Sequence, residues 1–165
     1  MPTFTPFNTS YRMKRILYLI LILTAATACK EVFEAPPQAL LKATLLNSTT
    51  NKSISPIVTA RGIGIEKPLY NDTALSVLML PLSINDTITS FALSFDTTAD
   101  TITITHKDTM IYASMESGFY YEYKLHTIYF SQNRIDSIQI IDSEVTKNWH
   151  ENIKLYIRPL PAGGN

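Results

Sequence analysis

The side chain whose type and setting specify chemistry most directly is Cys29, the only cysteine among 165 residues. It closes the run Ala26-Thr27-Ala28-Cys29, after an apolar stretch at 16–23 and the basic pair Lys14-Arg15. A positive segment, an apolar run and small residues ahead of a cut is the order of a bacterial export signal, with Lys14 and Arg15 as its n-region. Residues 16–28 are uncharged, only 13 in all. That makes about 20 Å of helix where a bilayer span takes roughly 20 residues, so a removable signal-peptide helix is expected rather than a permanent span.

Two chemistries fit the cut. Thr27 and Ala28 suit the small positions before a cysteine whose thiol is lipidated, as in a bacterial lipobox. Ala26-Thr27-Ala28 also suits an ordinary Ala-x-Ala signal-peptidase site with a cysteine next in line. Ala26 stands where a lipobox more often carries Leu. Both routes cut the same bond, and only lipidation separates them. The sole cysteine falling at the one position where lipidation needs it favours the lipoprotein. Each buried CH₂ of the attached chains then contributes about 0.8 kcal/mol, and two or three chains make attachment effectively permanent. Residues 1–12 are polar and resemble no part of the signal, so translation is expected to start at Met13.

No second constellation of comparable specificity follows. His106, His126 and His150 are isolated, without the local spacing of metal ligands, and as lone histidines at strand ends they are expected on the surface. No serine sits in a Gly-x-Ser-x-Gly turn, and no glycine-rich phosphate loop occurs. Asp-Thr recurs at Asp72, Asp86, Asp96, Asp100 and Asp108. Clustered carboxylates would suit calcium, but aspartate makes Asx turns and threonine opens strands, so hairpin ends are the expected reading. Neither a metal nor another cofactor is assigned. Aromatic residues crowd the carboxy-terminal half, and Tyr120, Tyr156 and Trp149 are the candidates for an exposed binding patch for a protein or a glycan.

The elements that must position these residues read as strands. Apolar alternation marks 40–46, 57–65, 75–82 and 91–95, with Gly62 and Gly64 expected at a bulge or close backbone approach. Phe91, Leu93 and Phe95, the turn residues 96–100, and Ile102 and Ile104 predict a hairpin. His106-Lys107-Asp108-Thr109 reads as a second tight connection leading into 110–115. Residues 119–125 follow, with a bend expected near Thr127. A further hairpin is expected from 128–130 through the turn 131–134 into 135–141, and 152–158 closes the series.

The expected organisation is a signal peptide at 1–28, a lipidated tether at 29–38, a β-domain at 39–158 and a tail at 159–165. About eight or nine short strands without helical periodicity predict an all-β fold, an antiparallel β-sandwich of immunoglobulin-like character. With one cysteine, no internal disulfide is available. The chain carries 14 basic and 14 acidic residues; removing Arg12, Lys14 and Arg15 leaves 11 against 14, about −3, which argues against a nucleic-acid partner.

Taken in order, Leu69-Tyr70-Asn71, Leu80-Pro81-Leu82, Asp100-Thr101-Ile102-Thr103-Ile104 with His106, Glu116-Ser117-Gly118-Phe119, Ile135-Asp136-Ser137-Ile138 and Asn152-Ile153-Lys154-Leu155-Tyr156 resemble an uncharacterised lipoprotein family of the Bacteroidota. The resemblance spans nearly all of the chain after Cys29. It implies a small β-sandwich lipoprotein of the cell envelope without assigned activity. The family carries Glu-Cys-Gly-Cys where this chain has Glu116-Ser117-Gly118-Phe119, so a disulfide or metal role of those cysteines does not extend here. The expected function is therefore a non-enzymatic binding or structural module held to the membrane, in the outer membrane and facing the periplasm or the surface, through a lipid on Cys29. The alternative is an envelope hydrolase using paired carboxylates, which requires a polar cleft with two converging acids.

Overall fold

The computed structural model describes Lys14 and residues 37–160. Arg15, Cys29, the rest of the expected signal peptide, the expected tether up to residue 36 and the end of the tail lie outside the described residues. The chain divides into two compact units, Met1–Glu34 and Ala35–Asn165. The described residues of the second form ten strands: β1 (Leu40–Asn47), β2 (Ile57–Gly62), β3 (Tyr70–Ala74), β4 (Val77–Pro81), β5 (Ile88–Phe95), β6 (Thr98–Ser114), β7 (Gly118–Phe130), β8 (Ile135–Ile140), β9 (Glu144–Val145) and β10 (Glu151–Ile157). They form a four-stranded sheet in the order β4-β1-β10-β8 and a six-stranded sheet in the order β3-β2-β5-β6-β7-β9.

Two-residue alternation builds the core between the sheets. Leu41, Ala43 and Leu45 of β1, Leu78 and Leu80 of β4, and Ile153, Leu155 and Ile157 of β10 are fully buried from one sheet. Val58, Leu93, Phe95, Ile102 and Ile104 are fully buried from the other, and all belong to a single hydrophobic cluster. Each such large side chain contributes about 1.5–3 kcal/mol relative to exposure. The fold is the expected all-β sandwich.

Its details depart from the expectation in four places. β1 and β10, the first and last strands, lie side by side and run parallel; all other ladders are antiparallel. The 106–109 segment is not a turn. β6 runs straight through it, because β7 supplies partners throughout: His106 faces Leu125, Lys107 faces Lys124 and Asp108 faces Tyr123. The register slips between Thr105 and His106, opposite the bend expected near Thr127. Nor do β7 and β8 make a hairpin, since they belong to different sheets. Finally, β3 and β9 carry no apolar alternation to announce them; both are short strands at the edges of the larger sheet.

Candidate functional site

Register places several chain reversals at one end of the sandwich. Leu40, the first residue of β1, pairs with Pro81, the last of β4. Ile88, the first of β5, pairs with Thr105, and Gly62, the last of β2, pairs with Phe91. Beyond Thr105 the β6–β7 ladder continues without β5. Met110 faces Tyr121, Tyr112 faces Phe119 and Ser114 faces Gly118, and past Tyr123 no third strand pairs with this arm among the described residues. Its tip closes on Gly118 at φ +72°, with the Ser117 amide donating to Ser114 Oγ at 2.9 Å. A left-handed backbone of this kind suits glycine.

The arm presents apolar side chains to solvent. Met110, Tyr112 and Phe119 are each more than half exposed, and Met115 at the tip is 90% exposed. The Tyr112 and Phe119 rings meet edge to face at 5.3 Å. Pro37, Gln38 and Ala39, where the described chain enters, line a cavity of about 350 Å³ together with Ile84, Phe119 and Tyr120. Trp149 joins them by donating its Nε1–H to the Gln38 carbonyl at 2.7 Å.

Beside the arm a groove of about 770 Å³ lies between the β2–β3 and β4–β5 connections, lined by Ile63, Ile65, Leu69, Leu82, Ile88 and Phe91. Its shape follows from two glycines. A Cβ on Gly62 would lie 3.1 Å from Ile65 Cδ1, a tight contact that the Ile65 side chain would have to yield to, and Gly64 holds φ +82°, a left-handed backbone that suits glycine. Lys67 and Asp86 supply the charges of the groove, and Asp86 is its one carboxylate. Such a lining suits an apolar ligand more than acid–base work, which requires converging titratable groups.

The wall between groove and cavity is fixed from within by His106. Its Nε2 lies 2.8 Å from Thr89 Oγ1, which also accepts the Ser83 amide at 2.9 Å. Tyr123 stands edge-on to the imidazole at 5.3 Å and donates its hydroxyl to the Leu82 carbonyl at 3.1 Å. Burial lowers the His106 pKa below 6.5, with Asp108 opposing and His126 assisting. The ring is therefore neutral at pH 7. It is also 2% exposed, which corrects the expectation of a surface histidine.

The opposite end is polar and closed. Asp100, 2% exposed, accepts the Ser131 hydroxyl at 2.6 Å and the Asn133 amide at 2.8 Å on Oδ1. Its Oδ2 accepts the amides of Arg134 at 2.6 Å and Ile135 at 2.9 Å. Burial raises its pKa, but the hydrogen bonds from Ser131, Asn133, Ile135 and Arg134 outweigh that and hold it below 3.8. This carboxylate gathers the 131–135 segment and directs the chain from β7 into the other sheet. That is the physical reason the expected hairpin does not form. Arg134 adds an ion pair to Asp96 at 3.2 Å.

A family profile matches residues 57–157, well over half of the chain. This chain belongs to the DUF6452 family of unknown function. Neither the curated proteins nor the solved structures compared with it gave a match. The matched span runs from the first residue of β2 to the last of β10. It omits β1, which nonetheless sits between β4 and β10 in the smaller sheet of this DUF6452 chain.

The residues singled out from sequence do not converge on one patch. Tyr120 is 7% exposed, covered by Lys147 at 5.6 Å from its ring, and its hydroxyl donates to Glu122. Its expected exposure is corrected: the ladder stays in register from His106 to Tyr112, so Tyr120 keeps the face of Glu122 and is covered there by Lys147. Phe119, on the face of Tyr121 and Tyr123, stands exposed on the part of the arm that no third strand pairs with among the described residues. Tyr156 is half-buried on the smaller sheet, donating to Gln139 at 3.2 Å. Trp149 is 48% exposed and stands at the tether end. Lys14 is exposed, while Arg15 and Cys29 lie outside the described residues. Among the described residues no cluster of three His, Cys, Asp or Glu side chains has metal-holding geometry. The Asp-Thr pairs scatter: Asp72 accepts from Thr59, Asp86 lines the groove, and Asp96 and Asp100 belong to the latch around Arg134. The groove loops and the arm were not foreseen as a site. Their signal is Ile84 and Ile88 in the predicted connection 83–90, where polar residues are usual, whereas Ile63 and Ile65 were read as part of the strand 57–65, which ends at Gly62.

Proposed function

We propose that this DUF6452 chain is a lipoprotein of the Bacteroidota cell envelope, held in the outer membrane by acyl chains on Cys29, and that it acts as a non-enzymatic binding module. Its binding surface is the apolar end of the sandwich, and the ligand class is apolar. One observation carries the reading: the chain enters the domain at the end where the exposed apolar side chains gather, with Pro37 and Gln38 lining a cavity beside Phe119. An anchored module whose apolar surface lay at random would have no reason to combine the two. The groove's single carboxylate also gives no partner for the two-acid hydrolysis of the alternative reading.

The test is the mass and location of the full chain expressed in a Bacteroidota host. A mature protein beginning at Cys29, heavier by a diacylglyceryl thioether and retained with membranes, is expected. Cys29→Ala should lose both the added mass and the retention. An unmodified Cys29 on a freely soluble protein would contradict the reading.

A further inference from the structure

Among the described residues, most of the large apolar side chains more than a third exposed gather at one end of the molecule, while Ile57 and Tyr129 stand toward the other. Met110, Tyr112, Met115 and Phe119 stand on the arm, and Ile63, Ile65, Leu69, Ile84 and Ile88 on the adjacent loops. Trp149 lies against Gln38 in the same region and adopts φ +50°. A bulky residue is rarely found there and is held only when its surroundings determine it. The opposite end instead spends its polar groups on the Asp100 latch. A patch of this extent on a small domain marks a contact surface.

What covers it follows from the tether. Eight chain steps separate Cys29 from Pro37, which span at most about 28 Å when extended, and Pro36-Pro37 stiffens the last of them. A lipid on Cys29 therefore keeps the end that Pro37 enters within reach of the bilayer. The aromatic and aliphatic side chains of the arm, with Trp149, are of the kind favoured at a headgroup boundary. Lys107 and Lys147 are offset by Asp108, Glu116 and Glu122, and Lys124 is paired to Glu144 at 2.8 Å, so the attraction is apolar and aromatic rather than electrostatic. We infer that the occupant of this end is the lipid surface itself: the β6–β7 arm and Trp149 seat in the bilayer interface, and the domain stands on the membrane rather than swinging on its tether. The inference rests on lipidation of Cys29, as proposed above.

Because Cys29 is consumed by lipidation, Met115→Cys provides the only free thiol for an environment-sensitive fluorophore, and Gln132→Cys provides the matching control at the latch end. The full lipidated chain is placed in phosphatidylethanolamine–phosphatidylglycerol vesicles, with and without brominated acyl chains. The Met115 label and Trp149, the only tryptophan, are expected to be quenched by bromine, and the Gln132 label is not. Exchanging both Tyr112 and Phe119 for Ser should remove more than half of the Trp149 quenching while the protein still floats with vesicles. Equal quenching at Met115 and Gln132 in protein that floats would overturn the inference and leave the anchor intact. Protein that fails to float, with Cys29 unmodified by mass, overturns the anchor reading and this inference with it. Shielding of the Met115 label that follows protein concentration in the absence of vesicles would put a second copy on the arm, and would overturn the inference as well.

Discussion

The two ends of this sandwich treat polar and apolar groups in opposite ways. At the latch end, one carboxylate accepts four hydrogen bonds within a buried corner. At the tether end, isoleucine, methionine and aromatic side chains stand in solvent around a groove of about 770 Å³. An end that only had to close the fold would resemble the first. The contrast separates what holds the molecule together from what it offers to a partner, and substitutions can be placed to pull the two apart.

The largest effect should come from the latch. Asp100→Ala strands the Ser131 hydroxyl and the amides of Asn133, Arg134 and Ile135, which should cost roughly 3 kcal/mol or more. Thermal unfolding should report this as a fall on the order of 10 °C in Tm. The same carboxylate sets an acid limit. Its folded pKa is lowered from 3.8, so its contribution is complete above the unfolded value and is lost as pH falls through the folded one. Denaturant titrations below pH 4 should show that loss in the parent and not in Asp100→Asn, which has no charge to lose.

His106 should come next, at the tether end but inside its wall. Its folded pKa lies below 6.5, so the unfolded chain takes up a proton first, and stability declines as pH drops below about 6.5 until the folded ring titrates. The slope is at most about 1.4 kcal/mol per pH unit. His106→Phe, which retains the edge-on contact with Tyr123, should flatten that slope in urea titrations between pH 7 and 5.

Gly64→Ala, placed at φ +82°, should cost about 1 kcal/mol or more through backbone strain. It should also reshape the groove loop without touching the latch, a difference visible in amide shifts. Smallest of all, Met115→Ser should change stability by less than about 0.5 kcal/mol, because its side chain is 90% exposed. A large loss there would mean that the arm is structural and that the contrast between the ends is false.

The regular part of the fold was legible because the apolar alternation in β1, β5 and, from Ile153 on, β10 is clean, and burial follows it there. Asp100 and His106 were legible in principle as well. Both share the inward parity of Ile102 and Ile104 on β6, and a charged or titratable residue in that phase has to be buried with partners. The polar composition of 106–109 hid this by imitating a turn, while the partner strand that keeps it extended comes from more distant sequence. Tyr120 was misplaced for a different reason: its parity on β7 is the outward one, but Lys147, distant in sequence, lies over its ring and covers it. The path from β7 into the second sheet depends on the 131–135 segment meeting a carboxylate more than thirty residues away, which no local pattern encodes. The groove needed loop geometry that no spacing in the sequence gives.

The most direct test of the functional contrast is amide hydrogen exchange on the full chain, carrying the lipid we propose on Cys29, compared between vesicles and solution in mild detergent. Slowed exchange confined to the 63–69, 82–87 and 110–119 segments, with the 96–100 and 131–135 segments unchanged, is the predicted result. Protection spread equally over both ends, or found at the latch end alone, would contradict it.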